Sequence, residues 1–390
     1  MRRLLPLLLL GALTSGKGIA QTDYPIFRDT ATLQAADSGR LSLQVDNINY
    51  LRNYEWFGNI PNSYTLLGTM LMPQLKYQVN PYFSVKGGLL LRREFGRPGL
   101  VTVEPMFTAK YQKKGLTFIM GTLEGGLNHR FVEPIYNIER FIVGRMDRVE
   151  FNDVTRAATT RNEQGLQLRI DKKRFWADWF IDWRESIVIG DNFREQLNSG
   201  ISTRTLLVDR PGVKLALPLQ ALVSHYGGQV STSNVAIESL FNGAAGLSAQ
   251  FPMTRGGLLR GIQTDVYYVG YKNISGNKLQ RYNEGYGWLG SVLLKSKWNL
   301  DLELRYWNGN TFFGPVGLPL YNSISEKNPG TGEPERSLLF ATLIYDKQLF
   351  PDVSIDLRLE PYYDLKNKML EYGYSAFLRF NKDFFLKKLR

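Results

Sequence analysis

Residues 352–365 read Asp-Val-Ser-Ile-Asp-Leu-Arg-Leu-Glu-Pro-Tyr-Tyr-Asp-Leu, and their pattern raises the question of which fold class the chain adopts. Apolar side chains at 353, 355, 357 and 359 alternate with polar or charged side chains at 354, 356, 358 and 360. In a β-strand this spacing places all the apolar side chains on one face and all the polar ones on the other. A soluble sandwich and a membrane barrel share this pattern, but they differ in which face meets water.

The same two-residue period recurs from Leu41 to the end of the chain. It is clearest at 67–79, 83–91, 101–111, 213–219, 300–306 and 370–380. We count about sixteen predicted strands, mostly near the ~9 to 11 residues that cross a bilayer at a tilt. Short turns such as Asn80-Pro81 alternate with longer connections, notably 127–162 and 309–336. The chain is therefore predicted to be all-β: a transmembrane antiparallel β-barrel of about 16 strands, with short periplasmic turns and long extracellular loops.

A sheet in lipid must close on itself, because its backbone N–H and C=O groups find no water there. The apolar face would then touch lipid, while Asp356, Arg358 and Glu360 would line the interior. On the lipid face near the bilayer midplane a charge costs up to ~2 to 4 kcal/mol. Aromatic residues near the predicted strand ends fit two interfacial girdles. These residues are Tyr77, Tyr111, Phe175 and Trp298 beside short turns, and Trp183, Tyr306 and Tyr363 near longer loops.

Some predicted strands depart from the simple pattern. Pro73, Pro105, Pro218 and Pro361 fall within strands, where each removes a ladder donor, so a bulge or a local break is expected at each. Segments 165–170 and 244–251 alternate only weakly, so their boundaries are poorly defined by the pattern.

The amino terminus is typical of an export signal. Arg2 and Arg3 precede an apolar run from Leu4 to Leu13, and small residues lead to Ala20. We expect a signal peptide at residues 1–20, a periplasmic segment at 21–40 and the barrel at 41–390.

The composition narrows the class of protein. A hydrophobic fraction of 43% with 22% charged residues excludes wholesale disorder. No segment beyond the signal approaches the ~20 apolar residues of a membrane-spanning helix. Without cysteine there is neither a disulfide framework nor a lipoprotein anchor. The net charge of +12 is explained by basic turns such as Lys172-Lys173-Arg174 facing headgroups or solvent, and we expect no nucleic-acid partner.

At this level the sequence resembles the Gram-negative porin-like outer-membrane β-barrel proteins. The resemblance rests on the signal, the amphipathic strands, the alternating connections and an aromatic final strand, Glu371-Tyr-Gly-Tyr-Ser-Ala-Phe-Leu-Arg-Phe380. Segments 128–140 and 224–229 also resemble uncharacterised barrels of Bacteroidota-type bacteria. The resemblance implies a location in the outer membrane of a Gram-negative bacterium, in contact with outer-membrane lipid.

A barrel of about sixteen strands encloses a water-filled lumen, whereas about eight strands are filled by side chains. We therefore predict a passive diffusion channel for small polar solutes, with a homo-oligomer as an open option, in preference to an enzyme. Side-chain parity predicts the following pore-lining residues: Lys86, Arg92, Glu104, Lys110, Asp178, Asp182, Arg184, Arg204, Lys214, Arg260, Asp265, Glu303, Arg305, Asp356, Arg358, Glu360 and Arg379.

The porin-like resemblance also implies that the third long loop folds into the lumen and narrows it. Within 127–162, charges of both signs lie close together, and the candidate constriction residues are Glu139, Arg140, Arg145, Asp147 and Arg148. Opposed charges there would place a transverse field across the constriction and select solutes by size and charge. A solvated surface lid and a partner-binding site are the alternatives.

Two other functions stay open: a lipid-modifying or lipid-handling barrel, and a plugged structural barrel. A lipid hydrolase needs a nucleophile and a base at the outward rim. Ser224 and His225 are adjacent, but neighbours on a strand point to opposite faces and cannot share a site. His129, Glu133 and His225 could form a metal site only if their loop folds toward the ninth strand, and two scattered histidines are weak support. From the sequence we assign no catalytic residue, no metal and no cofactor.

Overall fold

The computed structural model forms a closed antiparallel barrel of sixteen strands. It describes residues 32–124, 129, 131–137, 162–253, 257–276, 278–328 and 330–389. The strands are β1 (Arg40–Glu55), β2 (Tyr64–Asn80), β3 (Phe83–Glu94), β4 (Thr102–Lys113), β5 (Leu116–Thr122), β6 (Gln164–Asp171), β7 (Phe175–Glu185), β8 (Glu195–Arg210), β9 (Val213–Gly227), β10 (Glu238–Pro252), β11 (Leu259–Asn273), β12 (Glu284–Ser296), β13 (Leu300–Asn310), β14 (Glu335–Phe350), β15 (Val353–Asp364) and β16 (Met369–Lys388). Single 3-10 turns lie at Ala35–Asp37 and Pro319–Tyr321. In the described ranges, no helix has the length and apolar character needed to cross a membrane.

Each strand pairs with its neighbours in sequence, and β1 closes the barrel against β16. The predicted fold class and the porin-like architecture are therefore confirmed. The predicted signal peptide lies outside the described residues, and the barrel begins at Arg40. Antiparallel order places the short connections at one end, which we call the short-turn end, and the longer ones at the opposite, long-loop end. That the short-turn end faces the periplasm stays a prediction.

The opening stretch has the predicted two faces. On β15, Asp356 and Arg358 are buried inside the barrel, whereas Leu357 and Leu359 are 39% and 48% exposed on the outside. The predicted girdle residues Trp183, Tyr306 and Trp298 are likewise exposed. An apolar outer surface on a closed sheet is the surface that lipid solvates best. The predicted location in the outer membrane of a Gram-negative bacterium is confirmed, and the apolar exterior suits contact with lipid.

Prolines coincide with local breaks in the ladder. The β14–β15 pairing steps from Phe340↔Tyr362 to Leu343↔Leu359 and so skips Pro361. The β2–β3 pairing skips Pro73, and the β9–β10 pairing skips Pro218. Pro105 lies on the part of β4 that extends beyond its pairing with β5. A missing N–H is tolerated at these positions because no neighbouring carbonyl there depends on it.

Two connections at the long-loop end fold into the barrel. Their described parts, 131–137 between β5 and β6 and 311–328 between β13 and β14, contribute Val132, Ile135 and Tyr321 to a large buried apolar cluster. Backbone bonds join the two connections, from Asn137 N to Val316 O and from Leu318 N to Glu133 O, both 2.9 Å. We call these two segments together the two-loop plug. Much of the described interior is thus packed with side chains.

Candidate functional site

The predicted pore-lining residues mostly point inward. Those buried inside the barrel are Lys86, Arg92, Lys110, Asp178, Asp182, Asp265, Glu303, Arg305, Asp356, Arg358 and Arg379. Those that are half-buried are Glu104, Arg184, Arg204, Lys214 and Glu360. Arg260 is exposed beside the β11–β12 bulge at the short-turn end. That any of these residues line a conducting pore stays a prediction.

Many of these charged side chains form ion pairs with one another on the inner face of the barrel. Arg379 bonds Asp46 through both carboxylate oxygens, at 2.8 and 2.5 Å. Lys86 and Lys110 both contact Glu124, at 2.9 and 2.5 Å. Removing one partner from such a buried pair leaves the other charge unpaired, which costs ~3 to 5 kcal/mol. These pairs therefore fix the strands relative to one another.

The third long loop enters the lumen in its described part, as the resemblance implied. Glu133 pairs with Arg305 of β13 and accepts a hydrogen bond from Tyr321 at 2.8 Å. A small cavity separates this part of the plug from the wall, where Arg52 pairs with Glu360. The predicted constriction residues Glu139, Arg140, Arg145, Asp147 and Arg148 lie outside the described residues.

His129 anchors the same loop to the wall. Its ring is fully buried and stacks on Phe180 with centroids 3.7 Å apart. Nε2 lies 2.6 Å from Glu163, and Nδ1 lies 3.5 Å from Asp178 on β7. The backbone carbonyl of His129 accepts a bond from Ser202 of β8 at 2.7 Å. This burial and these contacts make His129 a structural anchor rather than a group open to substrate.

The pKa values of both His129 and Glu163 are raised above the ordinary values of an imidazole and a carboxyl group. Burial lowers the pKa of His129, but the nearby carboxylates of Glu163, which bonds Nε2, and Asp178 outweigh it and raise that pKa to about 10. Burial raises the pKa of Glu163 to about 7, although the imidazole opposes this effect. At neutral pH the imidazole is therefore charged, and a charged imidazole is not a general base.

His225 lies on the outer face of the barrel. Its Nδ1 is 2.7 Å from the Oγ of Ser239, the residue opposite it on β10. Ser224 points inward and is buried, so the adjacent pair is divided between the two faces as the strand geometry predicted. A serine hydroxyl at hydrogen-bond distance from an imidazole nitrogen is the arrangement of an activated nucleophile and its base.

Two neighbours shape the His225 ring. Gly227 lies on the same face, and a Cβ added there would meet the His225 Nε2 at 2.3 Å, so the ring occupies space that only glycine leaves open. Glu195 of β8 is directly opposite Gly227 and therefore shares that face. Its Oε1 accepts a hydrogen bond from the Trp183 indole at 3.2 Å. Ser239, His225 and Glu195 thus follow one another across three adjacent strands, β10, β9 and β8.

The surroundings of this pair are those of a membrane rim. His225 is two residues before the end of β9, and Ser239 is the second residue of β10, so both lie at the long-loop end. Trp183 of β7 is 44% exposed, and Ile274, which directly follows β11 and whose N–H bonds the Ser239 carbonyl, is 54% exposed. A half-buried polar pair within an exposed apolar surface is accessible to a lipid molecule. It can contact the part of the lipid where the polar headgroup meets the apolar acyl chains.

The metal site considered from the sequence does not form. His225 faces outward, His129 is buried inside, and Glu133 pairs with Arg305. Within the described residues, no group of histidine and acidic side chains is arranged to hold a metal ion.

Sequence reasoning missed Ser239 and Gly227. The β9–β10 register is what pairs Ser239 with His225, and the connection 228–237 between these strands gives no turn motif that fixes the register. Strand alternation places Ser239 on the outer face near the start of β10, so the sequence alone could have given it only as one of several possible partners of His225.

The model of a family described as lipid A 3'-O-deacylase-type matches residues 33–389. No curated protein matches the chain.

Solved structures of outer-membrane proteins are similar at low identity. The outer membrane protein OprD from Pseudomonas aeruginosa is 10% identical with a TM-score of 0.49, over 94% of this chain and 98% of that one. OpdL from Pseudomonas aeruginosa is 13% identical with a TM-score of 0.46, over 88% and 98%. OccAB2 from Acinetobacter baumannii is 10% identical with a TM-score of 0.48, over 89% and 99%.

The family match begins before β1 and extends beyond β16, so it includes every strand of the barrel and the His225–Ser239 pair. The chain belongs to the lipid A 3'-O-deacylase-type family.

Proposed function

We propose that this barrel hydrolyses an acyl ester of a lipid A-type glycolipid at the His225–Ser239 pair on its outer face. The observation that carries the proposal is the 2.7 Å contact between the His225 Nδ1 and the Ser239 Oγ. Family membership supports the substrate class, because the family description names removal of a lipid A acyl group. With this proposal the lipid-modifying alternative replaces the channel as the leading function.

The chemistry follows from the order of the groups. The Ser239 hydroxyl attacks the ester carbonyl while His225 Nδ1 takes its proton, and the sugar hydroxyl leaves with that proton. Water then hydrolyses the acyl-serine, with His225 acting first as base and then as acid, which frees the fatty acid and restores Ser239. Because Nδ1 accepts the proton, Nε2 carries the other hydrogen and points along β9 toward Gly227, on the face that Glu195 shares. Glu195 bonds the Trp183 indole rather than this Nε2–H, so the proposed mechanism uses only Ser239 and His225.

The position of the pair supports the proposal. Ester bonds of a glycolipid lie where the sugar headgroup meets the acyl chains, a short distance below the membrane surface. His225 and Ser239 lie within a few residues of the long-loop end, among exposed apolar side chains. Acyl chains would pack against the exposed Ile274 while the sugar stays near the rim.

Release of fatty acid from purified lipid A in detergent micelles tests the function. We expect wild-type protein to release fatty acid and the variants Ser239→Ala and His225→Gln to be slower by about a hundredfold or more. Ser224→Ala is the matched control, because Ser224 is adjacent to His225 but faces the interior, and it should retain wild-type activity. Equal activity of Ser239→Ala and wild type would exclude the proposed nucleophile.

A restricted channel is the second candidate function. The observation that favours it is the small cavity between the plug and the wall, bordered by the Arg52–Glu360 and Arg305–Glu133 pairs. Opposite charges facing a narrow passage would discriminate among small polar solutes. The apolar packing of the two-loop plug argues for low conductance.

Single-channel recording in planar bilayers tests this candidate separately from the hydrolase. A restricted channel predicts small, resolvable currents that change when Glu133→Gln removes one luminal charge. Folded protein that hydrolyses lipid A but gives no current would exclude the channel and support the hydrolase as the function.

A further inference from the structure

The last strand continues well beyond its neighbour at the short-turn end. β15 begins at Val353, which pairs with Phe380 of β16, and the final bond on this side joins Asn381 N to Asp352 O at 2.9 Å. On the other side, β16 stays paired with β1 as far as Lys388↔Arg40. Residues 381–388 therefore form a half-paired edge about 26 Å long. We call these residues the β16 edge.

The β16 edge exposes backbone and apolar side chains together. In the part of the chain that the structure describes, its backbone has no strand partner on the side of β15 beyond the bond from Asn381 N to Asp352 O. Phe384, Phe385 and Leu386 all lie beyond the last residue that pairs with β15, and they are 39%, 60% and 49% exposed. A long, regular, unpaired edge with exposed apolar side chains is a template for strand addition.

Charge on the β16 edge selects the kind of partner. Asp383 is neutralised by Arg40 and Lys76, at 3.6 and 3.5 Å, and Lys382 pairs with Asp352 at 2.8 Å. Lys387 and Lys388 are exposed and have no ion pair among the described residues. The net charge at the end of the edge is therefore positive, and it favours a strand that carries carboxylates.

Other occupants fit less well. Two copies in one membrane share the same inside–outside orientation, and their strands tilt by about 35 to 45°. A two-fold axis along the membrane normal would then cross two β16 edges at roughly 70 to 90°, which forms no ladder. The chain's own amino-terminal segment approaches from the far side of β1, where Leu33 N bonds Gln112 of β4 at 2.8 Å.

We propose that the β16 edge docks an extended, carboxylate-bearing peptide segment of another protein on the short-turn side, by strand addition. The docked strand would pair with the backbone of 381–388, cover Phe384 and Leu386, and place carboxylates next to Lys387 and Lys388. The site lies at the opposite end of the barrel from His225 and Ser239 and is independent of the hydrolase.

Hydrogen exchange of the folded barrel in detergent micelles tests the proposal with synthetic peptides. The probe is an eight-residue peptide of alternating Glu and Val, and the controls are alternating Lys and Val, and alternating Glu and Pro. We expect the Glu-Val peptide to slow exchange of about half of the amides within 381–388, because alternate residues of a strand face its new neighbour. The Glu-Pro peptide, which lacks alternate N–H donors, should give little protection.

Charge reversal completes the test. Lys387→Glu with Lys388→Glu should weaken binding of the Glu-Val peptide by about tenfold and strengthen that of the Lys-Val peptide. Lys347→Glu, an exposed lysine on β14 near the same end, is the matched control and should have little effect. Absence of protection by the Glu-Val peptide, or equal protection by all three peptides, would overturn the proposal.

Discussion

At the scale of single residues, the chemistry of a side chain depends on which face of a strand it occupies. Ser224 and His225 are adjacent in sequence but lie on opposite sides of the barrel wall, whereas His225 and Ser239 are fourteen positions apart and within 2.7 Å. The first relation follows from the sequence, because strand alternation separates neighbours. The second depends on the β9–β10 register, which the sequence of connection 228–237 does not specify.

A serine-directed probe should report the reactivity of Ser239. We expect a fluorophosphonate to label the peptide that contains Ser239, because His225 can take the hydroxyl proton. Labelling should be lost in His225→Gln and kept in Ser224→Ala, as measured by peptide mass spectrometry. A label on Ser224, or labelling of Ser239 that does not depend on His225, would contradict the assignment.

Gly227→Ala should disable the site without removing either reacting group. The added Cβ would fall 2.3 Å from the His225 Nε2, so the ring must rotate away from its present position. We expect fatty-acid release to fall by about tenfold or more, since misplacement by about 1 Å can cost a hundredfold. Gly270→Ala on β11 is the control, because a Cβ there meets nothing within 4 Å. Wild-type activity in Gly227→Ala would show that ring position is not critical.

His129 should make stability depend on pH. Its pKa is raised from 6.5 to about 10, so its contribution to the free energy of unfolding is complete below pH 6.5 and is lost as the pH rises through about 10. The difference in unfolding free energy between wild type and His129→Gln should therefore shrink over that interval in urea titrations. His225→Gln, which removes the other imidazole, is the control. A difference that grows with pH would contradict the assignment of a buried, charged imidazole.

At the scale of elements, strands were predictable and loops were not. The strongly alternating stretch at 353–360 lies within β15, with the predicted faces. The weakly patterned segments 165–170 and 244–251 also lie within strands, β6 and β10. Barrel closure imposes a strand there because an open edge in lipid would leave backbone groups unbonded. Loop folding depends on long-range contacts such as Glu133 with Arg305, which no local pattern encodes.

Packing between the two connections of the two-loop plug should be disrupted by one methyl group added at Gly317. A Cβ at Gly317 would lie 1.9 Å from the Pro134 carbonyl oxygen, so Gly317→Ala must separate the two connections. We expect this variant to conduct more current than wild type in planar bilayers, because the apolar packing between the loops loosens. Gly276→Ala, where a Cβ meets nothing within 4 Å, should conduct like wild type. Unchanged current in Gly317→Ala would argue that the plug does not limit passage.

At the scale of the whole molecule, the barrel separates two environments. Its interior holds ion pairs and a packed apolar plug, and its exterior presents apolar side chains to lipid. Strand count alone favoured an open lumen, since about sixteen strands enclose one. The infolded connections change that expectation, because they fill much of the described interior. The His225–Ser239 pair is on the lipid side of the wall, so its chemistry does not require an open pore.

The most direct test is the mass of lipid A in bilayers that contain the folded protein. We predict that wild-type barrels shift lipid A to a mass lower by one ester-linked acyl chain, with the matching free fatty acid released. Ser239→Ala barrels, folded and inserted equally well, should leave the mass unchanged. Lipid A that stays intact beside folded wild-type protein, or that is shortened equally by Ser239→Ala, would contradict the account.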